Sequence, residues 1–185
     1  MPSKPSRPAN QVRIIGGEYR RRILHFPDSS GLRPTPDRVR ETLFNWLGQE
    51  LTGMRCLDAF AGSGALGFEA VSRNAARVVM LESTRQACDA LKHNRELLKA
   101  DRVEIQQAEA LAWMRASAEQ FDLIFLDPPF ASGLISQALP LAAKLLKPEG
   151  WIYVEQSDKI QPPEGFIIHR QGKAGLSCFA LLKRG

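Results

Sequence analysis

Asp127-Pro128-Pro129-Phe130 follows directly on the apolar run Phe121 to Leu126, at the end of what reads as a buried strand. A carboxylate, two rigid rings and an aromatic in that order make a stiff lip with one acceptor side chain and one stacking face. Such a lip suits a planar nitrogenous base whose amino group must be held and made nucleophilic. Asp-Pro also initiates turns, so the tetrapeptide alone would serve a strand-ending turn equally well. A second motif, about seventy residues upstream, tips the balance toward the base-holding reading.

That motif is the run Leu57 to Gly67 (LDAFAGSGALG), which ends one apolar segment and opens a helical one. It contains Gly62-x-Gly64-x-x-Gly67, formally a dinucleotide fingerprint. Glycines there let the backbone turn tightly and approach a ligand at the carboxyl edge of an open sheet. Glu82, closing the next strand, is the acid that would hold the two ribose hydroxyls of a nucleoside. NAD and S-adenosylmethionine both meet these features. Asp58 beside the loop would repel a pyrophosphate and favour an α-ammonium, and no later motif offers a hydride acceptor site. The plainer role for Asp58 is as acceptor for loop N–H groups, which is compatible with ligand binding.

The elements that must position these residues can be read from periodicity. Candidate strands are 55–60, 77–81, 103–106, 121–127 and 150–155, and candidate helices are 65–72, 84–98, 110–118 and 134–146. Strand and helix alternate, which argues an α/β, doubly wound, mainly parallel sheet. Residues 166–170 and 176–182 have no room for a helix between them and predict a hairpin, so one late strand runs antiparallel. Near the start, 12–15 and 19–24 flank Gly16-Gly17 and predict a hairpin with a tight turn, with Arg20-Arg21-Arg22 on its second arm. A helix should follow from about Asp37, with Val39, Leu43, Trp46 and Leu47 on one stripe. Residues 1–11, with three prolines in the first ten, predict a disordered basic leader. Residues 12–52 would form an extension and 53–185 the main domain.

The 185 residues suffice for one domain with a real core. No run approaches the roughly 18–20 apolar residues of a membrane span, and no apolar segment follows the basic N-terminus as a secretory signal would require. Three scattered cysteines (Cys56, Cys88, Cys178) and three scattered histidines predict reduced thiols, a cytoplasmic setting and no metal. The net charge of +5 is unevenly placed: residues 1–40 carry nine Lys/Arg and three acids, a net of +6, leaving −1 for the rest. Eight of those nine cations are Arg, whose guanidinium binds phosphate bidentately and stacks on bases. A nucleic-acid contact is the reading this favours, against a solvated basic face. Arg13, Arg20, Arg21, Arg22, Arg33, Arg38 and Arg40 are the candidate contacts.

Asp58 through Gly64, Glu82 and Asp127 through Phe130 together resemble class I S-adenosylmethionine-dependent methyltransferases. With Gly16-Gly17-Glu18-Tyr19-Arg20 and the block Arg33 to Glu41 (RPTPDRVRE) added, residues 12–183 resemble the RsmD family, which methylates the exocyclic N2 of a guanine in bacterial small-subunit rRNA. The resemblance implies a Rossmann-like seven-stranded sheet of order 3-2-1-4-5-7-6 with strand 7 antiparallel. It implies that Asp58, Phe60, Ala61, Gly62, Ser63 and Gly64 cradle the methionine part of the cofactor. Glu82 and Ser83 would take the ribose, and Ala108-Glu109-Ala110 the adenine. Glu109 would equally serve as a helix-start acid. The implied partner is rRNA in a partly assembled 30S particle, met by a monomer. Competing readings are an adenine-N6 or protein-glutamine methyltransferase of the same fold, a dinucleotide-dependent oxidoreductase, and a non-catalytic RNA-binding assembly factor.

Overall fold

A computed structural model of the chain describes residues 10–28, 34–130 and 132–185. Residues 1–9 of the expected leader, and Arg33, lie outside the described residues. The described chain opens with β1 (Gln11–Arg13) and β2 (Ile23–His25), an antiparallel pair, so Gln11 belongs to a strand and not to the leader. After α1 (Asp37–Trp46), strands and helices alternate: β3 (Arg55–Asp58), α2 (Ala65–Ser72), β4 (Arg77–Glu82), α3 (Arg85–Leu98), β5 (Val103–Gln107), α4 (Ala110–Ala116), β6 (Phe121–Leu126), α5 (Ile135–Leu145) and β7 (Leu146–Gln156). The hairpin of β8 (Phe166–Ala174) and β9 (Ser177–Arg184) completes the fold.

The main sheet runs β5-β4-β3-β6-β7-β9-β8, which is 3-2-1-4-5-7-6 when β3 is counted as the first strand. β3 to β7 are mutually parallel and β9 is antiparallel to both β7 and β8, as the terminal hairpin requires. Parallel strands covered on both faces read as continuous apolar runs, and alternate residues go to opposite sides. Cys56, Val78, Met80 and Phe125 share one cluster with residues of α1, α2 and α3. Leu57, Val79, Leu81 and Ile124 share the other with α4 and α5.

Two boundaries differ from expectation for local reasons. β7 begins four residues earlier than 150, because a register shift against β6 (Phe121 opposite Leu146, Leu123 opposite Trp151) accommodates Pro148. The late hairpin closes with Ala174 opposite Ser177, so only Gly175 and Leu176 turn, with positive φ at the glycine alone, the type II′ pattern.

The first hairpin is a larger correction. Its strands have three residues each, and Gly16-Gly17 lies in a nine-residue connection rather than a tight turn. Arg20, Arg21 and Arg22 fall in that connection and not on the second arm. The glycines serve close approach to α2. A Cβ on Gly17, whose φ is +80°, would stand 1.8 Å from the Ser72 carbonyl oxygen. Ser72 also accepts the Glu18 N–H on its carbonyl (2.7 Å) and the Tyr19 N–H on its hydroxyl (2.9 Å), satisfying groups at the end of α2.

Arg40 is the second correction. It was expected to face a polyanion, yet it is fully buried at 0 % exposure. Its guanidinium bonds Asp37 Oδ1 (2.5 Å), Glu69 Oε2 (3.4 Å) and the carbonyl oxygens of Thr35 and Arg13 (3.1 and 3.0 Å). The buried face of α1 is Val39, Arg40, Leu43 and Phe44, with Trp46 and Leu47 packed at its margin. Arg40 sits three and four residues from Leu43 and Phe44, so helical geometry turns it inward with them. Glu69, itself buried at 0 %, accepts the Ile15 and Gly16 N–H groups (2.9 Å each) and Arg73 Nε (3.0 Å) as well as Arg40. Removing one partner of a buried ion pair costs about 3–5 kcal/mol. Arg40→Ala should therefore lose about 3–5 kcal/mol in urea unfolding; a surface arginine would lose well under 1 kcal/mol.

Candidate active site

Four acids close neighbouring parallel strands at the carboxyl edge of the sheet: Glu82 at the end of β4, Asp58 at the end of β3, Asp127 after β6 and Glu155 near the end of β7. Backbone bonds stitch the same edge. Ala61 N–H donates to the Leu81 carbonyl (2.9 Å), Ala59 N–H to Phe125 (3.2 Å) and Ala108 N–H to Glu82 (3.0 Å). The residues after β3, β4, β5 and β6 thus lie along one line, which is where open α/β sheets receive ligands.

The glycine turn between β3 and α2 has positive φ at Gly62 (54°) and Gly64 (82°). Gly64 is tight against Phe68 and Leu91, 2.6 and 2.7 Å from a hypothetical Cβ, so the glycine is required by packing as well as by φ. Asp58 Oδ2 accepts the Gly67 N–H (3.0 Å), which bears out the loop-acceptor role. Its other oxygen, Oδ1, is buried without a hydrogen-bond partner among the described residues. A buried unsatisfied acceptor is costly, and a ligand ammonium is the kind of donor that would satisfy it. Burial raises the Asp58 carboxyl to about 7, against the pull of the Gly67 bond and with a small push from Glu82.

Glu82 Oε2 accepts the Gly62 N–H (3.0 Å), while Oε1 accepts the Thr84 N–H and hydroxyl (3.1 and 3.2 Å). Its carboxylate therefore ties the glycine turn to the start of α3. Phe60 is half-buried, Ala61, Ser63 and Ala110 are buried, Ala108 is half-buried, and Ser83 is exposed. Glu109 is the N-cap of α4: its Oε2 accepts the Ala112 N–H (2.6 Å), so the helix-start role is the one seen.

Asp127 is half-buried, Pro128 half-buried, and Pro129 and Phe130 exposed, Phe130 at 61 %. That exposure leaves the ring available for stacking. Asp127 Oδ2 accepts the Thr35 hydroxyl (2.9 Å), and the same hydroxyl is 3.3 Å from Glu155 Oε2. Loss of hydration, then the charge of Glu155, push the Asp127 carboxyl well above the ordinary carboxylate range; the Thr35 bond pulls the other way and Asp58 adds a smaller push.

Thr35 and Glu155 were not singled out from sequence. Thr35 enters there only within the block Arg33 to Glu41, and Glu155 only as the end of a candidate strand. The available signal was the acid closing an apolar strand, the pattern already seen at Asp58, Glu82 and Asp127.

The arginines divide. Arg38 is exposed on the first turn of α1, three residues along the chain from Thr35. Arg13, Arg20, Arg21 and Arg22 are exposed too. Arg20 to Arg22, however, adjoin Glu18–Tyr19 on the C-terminal end of α2, and Arg22 Nη2 bonds the Leu97 carbonyl at the end of α3 (3.0 Å). Both helix ends lie at the opposite, amino-terminal edge of the sheet. Among the described residues no cluster of His, Cys, Asp or Glu could hold a metal, and no helix is long and apolar enough to cross a membrane.

Comparison with known proteins agrees with this geometry. A family model described as Conserved hypothetical protein 95 matches residues 12–183. Ribosomal RNA small subunit methyltransferase D of Escherichia coli K12 is 40 % identical over 185 residues, covering 95 % of this chain and 91 % of that protein. Its Haemophilus influenzae namesake is 42 % identical over 180 residues, covering 92 % and 93 %. The solved structure of the Escherichia coli methyltransferase yhhF superposes with a TM-score of 0.86 at 41 % identity, covering 94 % of this chain and 98 % of that one. Sheet order, reversed strand and acidic edge define a class I methyltransferase. Within that class the chain belongs to the RsmD family, the family of ribosomal RNA small subunit methyltransferase D.

The Asp58 shift has a measurable consequence. The folded chain holds a proton there between about pH 4 and 7 that the unfolded chain releases, so stability falls as pH rises through that window and levels off above it. The fall attributable to Asp58 is about 4 kcal/mol. Between pH 5 and pH 8 about 3 kcal/mol of that decline should appear in urea unfolding of the ligand-free protein, and Asp58→Asn should lose it. Equal declines in the two proteins would contradict the assignment.

Proposed function

We propose that this chain transfers a methyl group from S-adenosylmethionine to the exocyclic N2 of a guanine in bacterial small-subunit rRNA. The observation that carries the reading is the Asp127 carboxylate, held by Thr35 at the sheet edge one strand from Asp58, with the exposed Phe130 ring three residues on. The residues fit the cofactor: Asp58 has an unsatisfied buried oxygen for an ammonium, and Glu82, bonded to the glycine turn, would take the ribose. Bound S-adenosylmethionine supplies an electrophilic sulfonium methyl.

The guanine N2 lone pair is delocalised into the ring and is a poor nucleophile. Asp127 and the Pro128 carbonyl would accept the two N2 hydrogens, which orients that lone pair and favours the positive charge developing on nitrogen. Asp127 then takes the proton or passes it to water. Pro129 stiffens the lip. Phe130 stacks on a base drawn out of its surroundings, a contact worth about 1–3 kcal/mol.

The relatives' printed names support an rRNA substrate, and the exposed arginines support a polyanion. On this reading a monomer meets rRNA of a partly assembled 30S particle in the cytoplasm. Residues 12–52 form the RNA-facing extension on a methyltransferase domain of 53–185. Arg38 contacts RNA near the reacting base, Arg20 to Arg22 contact it at the far edge, and Arg33 joins them as a further contact.

Incubation with methyl-labelled S-adenosylmethionine, using both naked rRNA and assembled small-subunit particles, should place label in N2-methylguanine. Asp127→Ala should lower the rate about 10²–10³-fold while cofactor affinity survives. Label in adenine, or in no RNA, would overturn the assignment. Neutralising Arg20, Arg21 and Arg22 together should weaken RNA binding and reduce the slope of log affinity against log salt by about 2, with cofactor affinity unchanged. An unaltered slope would make the triplet a solvated basic face.

A further inference from the structure

Behind Asp127 stands a group of side chains that the reaction as described does not use. Thr35 and Glu155 are both buried. The Thr35 hydroxyl is 2.9 Å from Asp127 Oδ2 and 3.3 Å from Glu155 Oε2. A hydroxyl has one proton, so it can donate to only one of these carboxylates, and the shorter contact is to Asp127. Glu155 is anchored from elsewhere, by the Tyr153 hydroxyl on Oε2 (2.9 Å) and the Ser177 hydroxyl on Oε1 (3.1 Å). Among the described residues no ion pair joins Asp127 or Glu155. The cation nearest in the bonding pattern is Arg40 of α1, which bonds the Thr35 carbonyl and is already committed to Asp37 and Glu69. From β3 the facing group is Asp58. Two carboxyl groups therefore meet across a single hydroxyl, supplied by the segment leading into α1.

We propose that Thr35 and Glu155 are positioning residues that act on Asp127 in opposite directions, the hydroxyl holding its carboxylate oriented and ionised and the Glu155 charge opposing that ionisation. The inference rests on Asp127 being the acceptor for the substrate amine. Its effect is to leave Asp127 poised: the N–H donors of an arriving base complete an ionisation that the ligand-free protein holds back. The raised Asp127 carboxyl has this arrangement as part of its cause, after loss of hydration. Because Thr35 belongs to the segment before α1, the charge on the reacting carboxylate also depends on how that segment is seated.

The test uses the full chain with two readouts. One is the acid limb of kcat/KM for methyl transfer to rRNA. The other is the Asp127 carboxyl titration by carbon-13 NMR, assigned with Asp127→Asn. Thr35→Val should move both upward by about one pH unit, the effect of one lost hydrogen bond, and lower the rate about tenfold at pH values on the acid limb. Thr35→Ser should restore both. Glu155→Gln, which keeps the shape and removes the charge, should move both downward. A purely structural role would leave the NMR titration in place or move it the same way in both variants, and either outcome overturns the proposal. If the NMR titration shifts as stated and the activity limb does not, the positioning stands and the reading of Asp127 as the reacting carboxylate falls. Should Thr35→Val fail to fold by thermal melting, Glu155→Gln decides alone, and an NMR titration that stays or rises overturns the proposal.

Discussion

The buried carboxylate of Glu69 is the interaction on which the arrangement of this molecule turns. An isolated charge in a dry interior is very unfavourable. Here the charge is met by two backbone N–H groups from Ile15 and Gly16 and by the guanidinium groups of Arg40 and Arg73. Those partners come from the first hairpin, from α1 and from α2's own end. One side chain thus joins the N-terminal extension to the helix that follows the glycine turn. Arg40 carries the connection onward, because its Nε bonds the Thr35 carbonyl and so seats the segment whose hydroxyl reaches Asp127. A run of contacts therefore leads from the middle of α2 to the acidic edge without passing through solvent.

At that edge the chemistry follows from topology. Parallel strands end together, so acids that are last in their own strands become neighbours although up to about a hundred residues separate them in sequence. Asp58 and Asp127 lie on adjacent strands and both are raised by loss of hydration, and each is pushed further by another acid. The fold keeps them tolerable by donating N–H and O–H groups to one oxygen of each carboxyl while leaving capacity for a ligand. Such strain is characteristic of sites that await charge or donors from outside.

Much of this was legible in the sequence. Continuous apolar runs ending in acids identified β3, β4 and β6 because strands buried on both faces need no polar alternation. Gly62 and Gly64 were legible because positive φ disfavours larger side chains at both, with close packing adding to it at Gly64. Asp127 to Phe130 stood out because few other functions place a carboxylate, two prolines and an aromatic together. Other features were not legible. Gly16-Gly17 looked like a hairpin turn, yet it answers to the Ser72 carbonyl on α2, a contact no local pattern displays. Arg40 looked like part of a basic face because charge is counted along the chain, whereas its burial depends on a partner in another helix. Glu155 ends its strand as plainly as Asp58 does, but its meaning came only from the hydroxyl between it and Asp127.

By itself, then, the sequence determined the order of strands and helices, the glycine turn and the edge acids, since these depend on periodicity, backbone freedom and the chemistry of neighbouring residues. Only the tertiary structure decided which cations face outward, which glycines exist for close approach, and which side chains stand behind the Asp127 carboxylate. Those depend on pairings such as Arg40 with Glu69 and Thr35 with Asp127, which the chain closes across long loops. The free energy of such pairings comes from burial and from satisfied charge, and neither exists until the sheet and its helices have packed.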